Sequence, residues 1–168
     1  LAYTPSQQYV FALFEEKNED TEVPQPQLGI WNLADGKRIM QFDEPGITQL
    51  VIHPNQDRFL TLDRQLTEVH LWLASAQQKR IFKRPGHPIF FYVSFSPDGQ
   101  TILAGGRGSF VVWNMESGEE IIHQPSSNPA SVYACYTPDG QQIITGYQDG
   151  SIRWFDVAEL KAAQASVQ

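Results

Sequence analysis

Four histidines and one cysteine are the side chains best suited to catalysis or metal binding: His53, His70, His87, His123 and Cys135. The histidines show neither HxxxH nor HxH spacing, which would bring two imidazoles to one zinc ion. A single cysteine excludes an intramolecular disulfide, a thiolate zinc cluster and a redox pair. We therefore expect no enzyme activity, no bound metal and no cofactor. Cys135 is interpreted as a small packing residue.

Two other sequence patterns could bind a phosphate or a metal ion, but each matches the required motif poorly. Gly105-Gly-Arg-Gly108 is rich in glycine, but it lies between two predicted strands, whereas a phosphate loop precedes a helix. The acids between Glu15 and Glu22 lack the Asp-x-Asp-x-Asp-Gly spacing of a calcium loop. The sequence thus favours binding by a surface over catalysis.

The composition indicates a folded domain. The 168 residues are 41% hydrophobic and 12% aromatic, which is enough for one sizeable core. The net charge of -7 is opposite to that of a general nucleic-acid binder, so no nucleic-acid partner is expected. No apolar run approaches the roughly 18 residues that span a bilayer. The lack of disulfides makes the cytoplasm the default location, with the periplasm or secretion left open.

An internal repeat of about 42 residues organises the chain. It is marked by an aromatic residue at positions spaced 41, 41 and 42 apart: Trp31, Trp72, Trp113 and Phe155. In the last repeat we choose Phe155 over Trp154 because it keeps Asp156 in register. Upstream of each aromatic residue stands a marker such as Phe95-Ser-Pro97 or Tyr136-Thr-Pro138.

Turn signals and alternating apolar residues divide each repeat into four short strands, a to d. Pro97-Asp-Gly99 and Pro138-Asp-Gly140 predict turns, because proline presets the first dihedral angle and glycine accepts a positive φ. Alternating runs follow both turns. Four-stranded units of this length predict an all-β chain, a β-propeller of antiparallel blades in a single partial domain spanning 1–168. The expected blades are approximately 1–46, 47–88, 89–130 and 131–168.

The third and fourth repeats strongly resemble those of WD-repeat (WD-40) propellers, and the first two do so weakly. The matching motifs are Gly86-His87, Phe95-Ser-Pro-Asp-Gly99, Val112-Trp-Asn114, Tyr136-Thr-Pro-Asp-Gly140 and Asp149-Gly-Ser-Ile-Arg153. The resemblance implies structural roles for Trp31, Trp72, Trp113, Phe155, His87, Asp149 and Asp156. It also implies a buried network of Asp, His, Ser and Trp, which is incomplete in every repeat here.

The number of repeats leaves three architectures open. WD propellers usually have seven or eight blades, so four imply part of a longer propeller, half of a ring completed by a second copy, or a compact ring of four. The chain begins within a repeat at Leu1, and we interpret it as a mature or excised segment. The residues after Asp156 have high helix propensity, yet the repeat requires an outer strand there. We expect a short strand with a frayed tail.

The resemblance further implies a non-catalytic scaffold for protein–protein interaction, with a binding face built from propeller loops. Its candidate contact residues lie just before strand a and at the turn between strands b and c: Phe90, Tyr92, Arg107, Ser131, Tyr133 and Gln148. Phe90 and Tyr92 have a second interpretation, as parts of the local core. The alternatives are a fragment of an enzymatic or ligand-binding propeller, and a half propeller that self-associates through exposed blade faces.

Charge is concentrated in two segments. An insertion between strands b and c of the first repeat carries Glu15, Glu16, Glu19 and Asp20. It is either a solvated insertion or an acidic finger that attracts a protein partner with a basic surface. A second segment carries the cations Lys79, Arg80, Lys83 and Arg84. We expect these cations to protect the edge of an outer strand rather than to bind phosphate.

Overall fold

The computed structural model describes residues 1–17, 24–42, 49–63, 65–86, 89–125 and 131–166. Within these ranges the chain forms antiparallel sheets whose strands pair in chain order, followed by one helix. The all-β prediction is confirmed.

Each sheet corresponds to one sequence repeat. The first contains β1 (Ala2–Tyr3), β2 (Tyr9–Lys17), β3 (Pro24–Asn32) and β4 (Arg38–Phe42). The second contains β5 (Gln49–Ile52), β6 (Arg58–Leu62), β7 (Val69–Leu73) and β8 (Ala76–Phe82). The third contains β9 (Phe90–Phe95), β10 (Thr101–Gly106), β11 (Ser109–Asn114) and β12 (Glu120–Pro125). The fourth contains β13 (Ser131–Tyr136), β14 (Gln142–Tyr147) and β15 (Ile152–Asp156), and α1 (Val157–Ala165) follows it.

Three apolar clusters join successive sheets. Phe11 and Ile30 of the first sheet pack with Phe59 of the second. A second cluster, which includes Trp113, joins the second and third sheets, and a third cluster, which includes Phe110, joins the third and fourth. Because side chains alternate along a strand, every other residue faces the preceding sheet and the remainder face the following one. This alternation turns each repeat into a blade with two apolar faces.

The aromatic residue of each repeat occupies the same register position. On strand b, Ile143 lies opposite Phe155, as Ile102 lies opposite Trp113. Trp154 projects from the other face of the fourth sheet and is 58% exposed. Phe155 therefore has the same register position as the tryptophans, and Trp154 does not.

Each junction between successive sheets has a polar contact near the turn that follows an inner strand, and the three contacts differ in chemistry. Ser6 Oγ donates to Asp57 Oδ2 at 2.6 Å between the first and second sheets. The ring of His53 contacts the carbonyl oxygen of Gly99 at 3.0 Å between the second and third. The hydroxyl groups of Thr101 and Tyr136 lie 2.8 Å apart between the third and fourth.

The prediction of an outer strand after Asp156 is wrong, because this segment forms α1. Asp156 caps the helix: its Oδ1 accepts hydrogen bonds from the amides of Ala158 at 2.9 Å and Glu159 at 3.0 Å. Val157 and Leu160 pack against the third apolar cluster. A good cap and a run of strong helix formers prevail over the repeat, and the fourth sheet keeps three strands.

A buried hydroxyl in the fourth sheet lacks the partner that its equivalent has in the second. Trp72 Nε1 donates to Thr61 Oγ1 at 2.9 Å. The equivalent pair in the fourth sheet is Thr145 and Phe155, and a phenyl ring has no N–H to donate. Thr145 is 2% exposed, and its hydroxyl has no hydrogen-bond partner among the described residues. An unpaired buried hydroxyl costs free energy of folding.

We predict that Phe155→Trp stabilises the protein by about 1 kcal/mol, because the indole N–H can donate to the Thr145 hydroxyl. Thermal denaturation should show a rise in Tm of a few degrees. The control is the same substitution in a Thr145→Val background, where the gain should disappear. An equal gain in both backgrounds would attribute the effect to ring size and not to the hydrogen bond.

Candidate functional site

Two tyrosines from neighbouring sheets form a ring pair at one end of the inner strands. Tyr92 on β9 and Tyr133 on β13 lie edge to face, with ring centroids 6.2 Å apart. Tyr133 is 59% exposed and Tyr92 is half-buried. The structure thus brings together two residues that the sequence predicts as partner contacts.

Glycines on the adjacent strand b leave room for this pair. Tyr92 lies opposite Gly105 in the β9–β10 ladder, and Tyr133 lies opposite Gly146 in the β13–β14 ladder. A side chain at Gly105 would approach the Cβ of Ala134 to 2.9 Å, closer than real contacts allow. Gly105 therefore permits the close approach of the third and fourth sheets beside the tyrosines.

Two polar side chains stand at the same end of the blades. Arg107 follows β10 and is exposed, and its amide donates to the carbonyl oxygen of Ile89 at 2.9 Å. Gln148 follows β14 and is also exposed. Both turns adjoin the strand ends that carry the tyrosines, as strand register requires.

One of the predicted contact residues is buried. Phe90 is 0% exposed and packs edge to face on Trp113, so its side chain cannot contact a partner. A β-bulge is the cause: the register shifts between Gly105 and Gly106, and Phe91 becomes the extra residue of β9. Phe91 is 40% exposed and takes the place expected for Phe90. We call Phe91, Tyr92, Arg107, Tyr133 and Gln148 the tyrosine face.

Several predicted site residues lie wholly or partly outside the described structure. Glu19, Asp20 and His87 fall outside the described residues. Glu15, Glu16 and Ser131 have a described backbone on β2 and β13, but the description does not extend to their side chains.

The acidic insertion lengthens a hairpin. β2 and β3 are nine residues each, and their pairing continues through Glu15 opposite Pro26 to Lys17 opposite Pro24. The strand ends at Lys17 and Pro24 correspond to the turns that carry Arg107 and Gln148. The acidic hairpin therefore extends from the first sheet at the end that carries the tyrosine face on the later sheets.

The inner strands of the later sheets line a groove of about 320 Å³ that begins at Tyr92. Its lining comes from β5, β9 and β13 and the turns that follow them: Val51, Ile52, Pro54, Tyr92, Ser94, Phe95, Ser96, Pro97, Cys135, Tyr136, Thr137 and Pro138. Burial raises the pKa of Tyr136 to about 12, so this hydroxyl stays protonated at physiological pH. The Ser94 hydroxyl is buried and makes no hydrogen bond within the described ranges. The groove therefore presents apolar and neutral polar groups.

His53 has a structural role beside this groove. Its Nδ1 accepts hydrogen bonds from the amides of Asn55 and Gln56, both at 3.0 Å. The proton therefore resides on Nε2, which donates to the carbonyl oxygen of Gly99. The ring is 1% exposed, and burial lowers the pKa of His53. A side chain at Gly99 would collide with the ring, so the turn and the histidine fit each other.

The cationic segment on the outer strand of the second sheet bonds mainly to acids and carbonyls. Arg84 Nε lies 3.1 Å from a carboxylate oxygen of Glu120 on the third sheet. Arg80 donates to the backbone carbonyls of Met115 and Glu116. These contacts join the outer strand and the residues that follow it to the next blade. Edge protection by the exposed Lys79 and Lys83 stays a prediction.

Metal and membrane features are absent from the described parts of the chain. No group of three or more His, Cys, Asp or Glu is placed there to hold a metal ion. In the same ranges, no helix combines the length and apolar character that a membrane crossing requires.

The sheets and their junctions define a β-propeller built from WD-like blades. Residues 77–114 and 120–156 each match the family model of the WD domain, G-beta repeat. Each match runs from the outer strand of one sheet to the third strand of the next, so a family repeat straddles two blades. These two segments are similar to WD repeats, and the series of antiparallel sheets is consistent with a segment of a WD-repeat propeller. Such repeats generally mediate protein–protein interaction. The search of curated proteins gave no match.

We predict that acid destabilises the protein through His53, which is buried, and His123, which is half-buried. Burial lowers the pKa of His53 and of His123 from 6.5 in the unfolded chain. The unfolded chain therefore binds protons first as the pH falls, and the free energy of unfolding decreases below about pH 6.5. The slope should reach at most about 1.4 kcal/mol per pH unit for each histidine.

Urea denaturation between pH 7.5 and 5 measures this slope, above the range in which exposed carboxylates titrate. His53→Gln should reduce the slope even where it lowers stability at pH 7.5, and His123→Gln should reduce it separately. Slopes equal to that of the wild type in both variants would contradict the assignment.

Proposed function

We propose that the chain is a non-catalytic scaffold that binds a protein partner across its third and fourth blades. The observation that carries this proposal is the Tyr92–Tyr133 pair, which bridges two blades and exposes 59% of Tyr133. The proposed organisation is one propeller domain with blades at approximately 1–46, 47–88, 89–130 and 131–168.

The chemistry of the tyrosine face suits protein recognition. Tyrosine and arginine are enriched among residues that dominate binding energy. Tyrosine has few rotatable bonds and combines an apolar ring with a polar tip. Because Tyr92 and Tyr133 already pack on each other, a partner loses less free energy in ordering them. Arg107 and Gln148 supply polar contacts at the rim.

The acidic hairpin supports a partner with a basic surface. Glu15 and Glu16 lie on β2, and Glu19 and Asp20 continue the acidic run in the sequence. Charges at the rim of a binding face raise the rate of encounter with an oppositely charged partner. The net charge of -7 acts in the same direction.

The same proposal holds that the chain has no catalytic activity. His53 is occupied by backbone hydrogen bonds, and His70 Nε2 lies 3.2 Å from a carboxylate oxygen of Glu68. A nucleophile needs an adjacent base oriented by a third group. The described members of the tyrosine face form no such arrangement, since they offer two phenols, a phenyl ring, a guanidinium and an amide.

We predict that peptides selected on the wild-type protein from a displayed random library bind through the tyrosine face. Their Kd should rise at least tenfold in the variant with Tyr92→Ala and Tyr133→Ala, because a buried aromatic contact contributes about 1–3 kcal/mol. Isothermal titration calorimetry with synthetic copies of the selected peptides measures this change.

The matched control is Ile81→Ala, which truncates an exposed apolar residue on the outer strand of the second blade. It should change the Kd by less than twofold. Full binding by the tyrosine variant, or an equal loss with Ile81→Ala, would refute the proposed site.

We further predict that the acidic hairpin increases the association rate. For selected peptides rich in lysine or arginine, Glu15→Gln with Glu16→Gln should slow association severalfold at low salt and leave dissociation unchanged. Surface plasmon resonance at 50 and 500 mM salt measures both rates, and the difference should vanish at high salt. Glu119→Gln with Glu159→Gln removes the same charge elsewhere and should have a smaller effect. Equal slowing in both variants would assign the effect to net charge alone.

A further inference from the structure

A cavity of about 290 Å³ lies between the second and third blades. The second blade contributes Arg58 at the start of β6 and residues at the end of β7, and the third contributes Met115 and Glu116, which follow β11. The tyrosine face lies at the opposite ends of the strands, beside the end of β10. We call this space the inter-blade cavity.

The inter-blade cavity carries an excess of positive charge. Its charged lining residues are three cations, Arg58, Lys79 and Arg80, and one acid, Glu116. Three cations against one acid leave two positive charges in excess, whereas the whole chain has a net charge of -7. Lys79 Nζ lies 5.2 Å from the ring centroid of Trp72, which also lines the cavity. This excess favours a bound anion.

Each arginine is held through one nitrogen. Arg58 Nη1 donates to Glu116 Oε1 at 2.7 Å and lies 3.8 Å from the sulfur atom of Met115. Arg80 Nη1 donates to the carbonyl oxygens of Met115 and Glu116. Within the described ranges, Nε and Nη2 of both arginines make no hydrogen bond. This edge of a guanidinium can bind two oxygens of one oxyanion, so each arginine keeps a bidentate donor pair.

The turn after β11 fixes the groups that hold the arginines. Asn114 Oδ1 accepts a hydrogen bond from the amide of Glu116 at 2.9 Å. Gly118 has a φ of 78°, and a side chain there would approach Arg80 Nη1 to 3.6 Å. Arg80 therefore lies over a turn of defined shape. A ligand would meet donors that are already oriented, which reduces the free energy lost on binding.

Glu116 indicates which anion the cavity favours. Its side chain is 68% exposed and already pairs with Arg58. A ligand with a single charge would only replace this carboxylate. A phosphate monoester has a charge of about -1.5 to -2 at pH 7 and three acceptor oxygens, so it can displace Glu116 with a gain in free energy. Leu71 and Leu73 supply an apolar wall for an organic substituent.

The cations of the cavity differ from the run of cations in the sequence. Lys83 Nζ lies 3.5 Å from a carboxylate oxygen of Glu68, and Arg84 Nε lies 3.1 Å from one of Glu120. Arg58 comes from a different strand of the second sheet. The pairing of strands, and not the spacing of cations along the chain, therefore creates the cavity.

We propose that the inter-blade cavity binds the phosphate group of a monoester. Arg58 and Arg80 act as bidentate donors, Lys79 adds a third cation, and the organic part lies against Leu71 and Leu73. Two sources share this chemistry: a free organic phosphate and a phosphorylated side chain of a protein. The proposal is independent of the tyrosine face, because the two sites share no residue.

The first test is isothermal titration calorimetry with phenyl phosphate. Arg58→Lys and Arg80→Lys should each raise the Kd about fivefold or more, because an ammonium group keeps the charge but cannot donate two parallel hydrogen bonds. The matched control is Arg153→Lys, on an exposed arginine of the fourth sheet, which should change the Kd less than twofold. Circular dichroism checks that each variant is folded. Absence of saturable binding up to about 10 mM, or an equal loss with Arg153→Lys, would overturn the proposal.

Glu116→Gln tests the competition between the ligand and the carboxylate. It should lower the Kd for phenyl phosphate about threefold or more, because Arg58 then loses its charged partner. Glu119→Gln removes the same charge from the same turn, outside the cavity, and should have a smaller effect. A purely structural Arg58–Glu116 pair predicts no gain in affinity, so unchanged or weaker binding by Glu116→Gln would overturn the proposal.

Two further probes identify the anion and its source. Benzoate has the same ring with one charge and should bind about tenfold more weakly than phenyl phosphate, and equal binding would overturn the assignment to phosphate. A peptide with phosphoserine between leucines is compared with its unphosphorylated form. Tighter binding of the phosphopeptide than of phenyl phosphate supports a phosphorylated protein as the source, and the reverse order supports a free ester.

Discussion

The need to cover both faces of every sheet governs this structure. Each blade places apolar residues on alternate positions of its strands, so one set, such as Phe110 and Val112, faces the following blade and the other, such as Trp113, faces the preceding one. Neither set can leave water unless sheets stack in series. Stacking buries the centres of the strands. The strand ends and their turns therefore remain exposed and can bind other molecules.

This constraint explains why the sequence predicts the blades well. The aromatic spacing and the Pro-Asp-Gly turns locate the sheets, and they identify Phe155 as the residue in register. The prediction fails at α1 for a local reason: Asp156 as cap and Glu159 in the first turn indicate a helix. These local signals prevail over the repeat pattern, which calls for an outer strand at this position.

The candidate site was predictable in part. Position in the repeat identifies Tyr92 and Tyr133, but their contact depends on the angle between two sheets, which sequence spacing does not contain. Phe91 is exposed in place of Phe90 because β9 contains a bulge. The bulge depends on the close approach of Gly106 to the Ile89 carbonyl. Gly106 was the available signal, since a glycine within a strand marks a bulge or a close backbone contact.

The contact between His53 and Gly99 favours one particular neighbour for the second blade. Apolar faces of similar repeats are interchangeable to a first approximation, but the ring of His53 fits only a following turn with glycine at position 99 and a free carbonyl there. The third blade has Ser96 at the position of His53, and the fourth has Thr137. A blade inserted between the second and third would separate His53 from the Gly99 carbonyl and leave the buried Nε2 without that partner. The residues of this turn thus help to determine which blade packs next to the second.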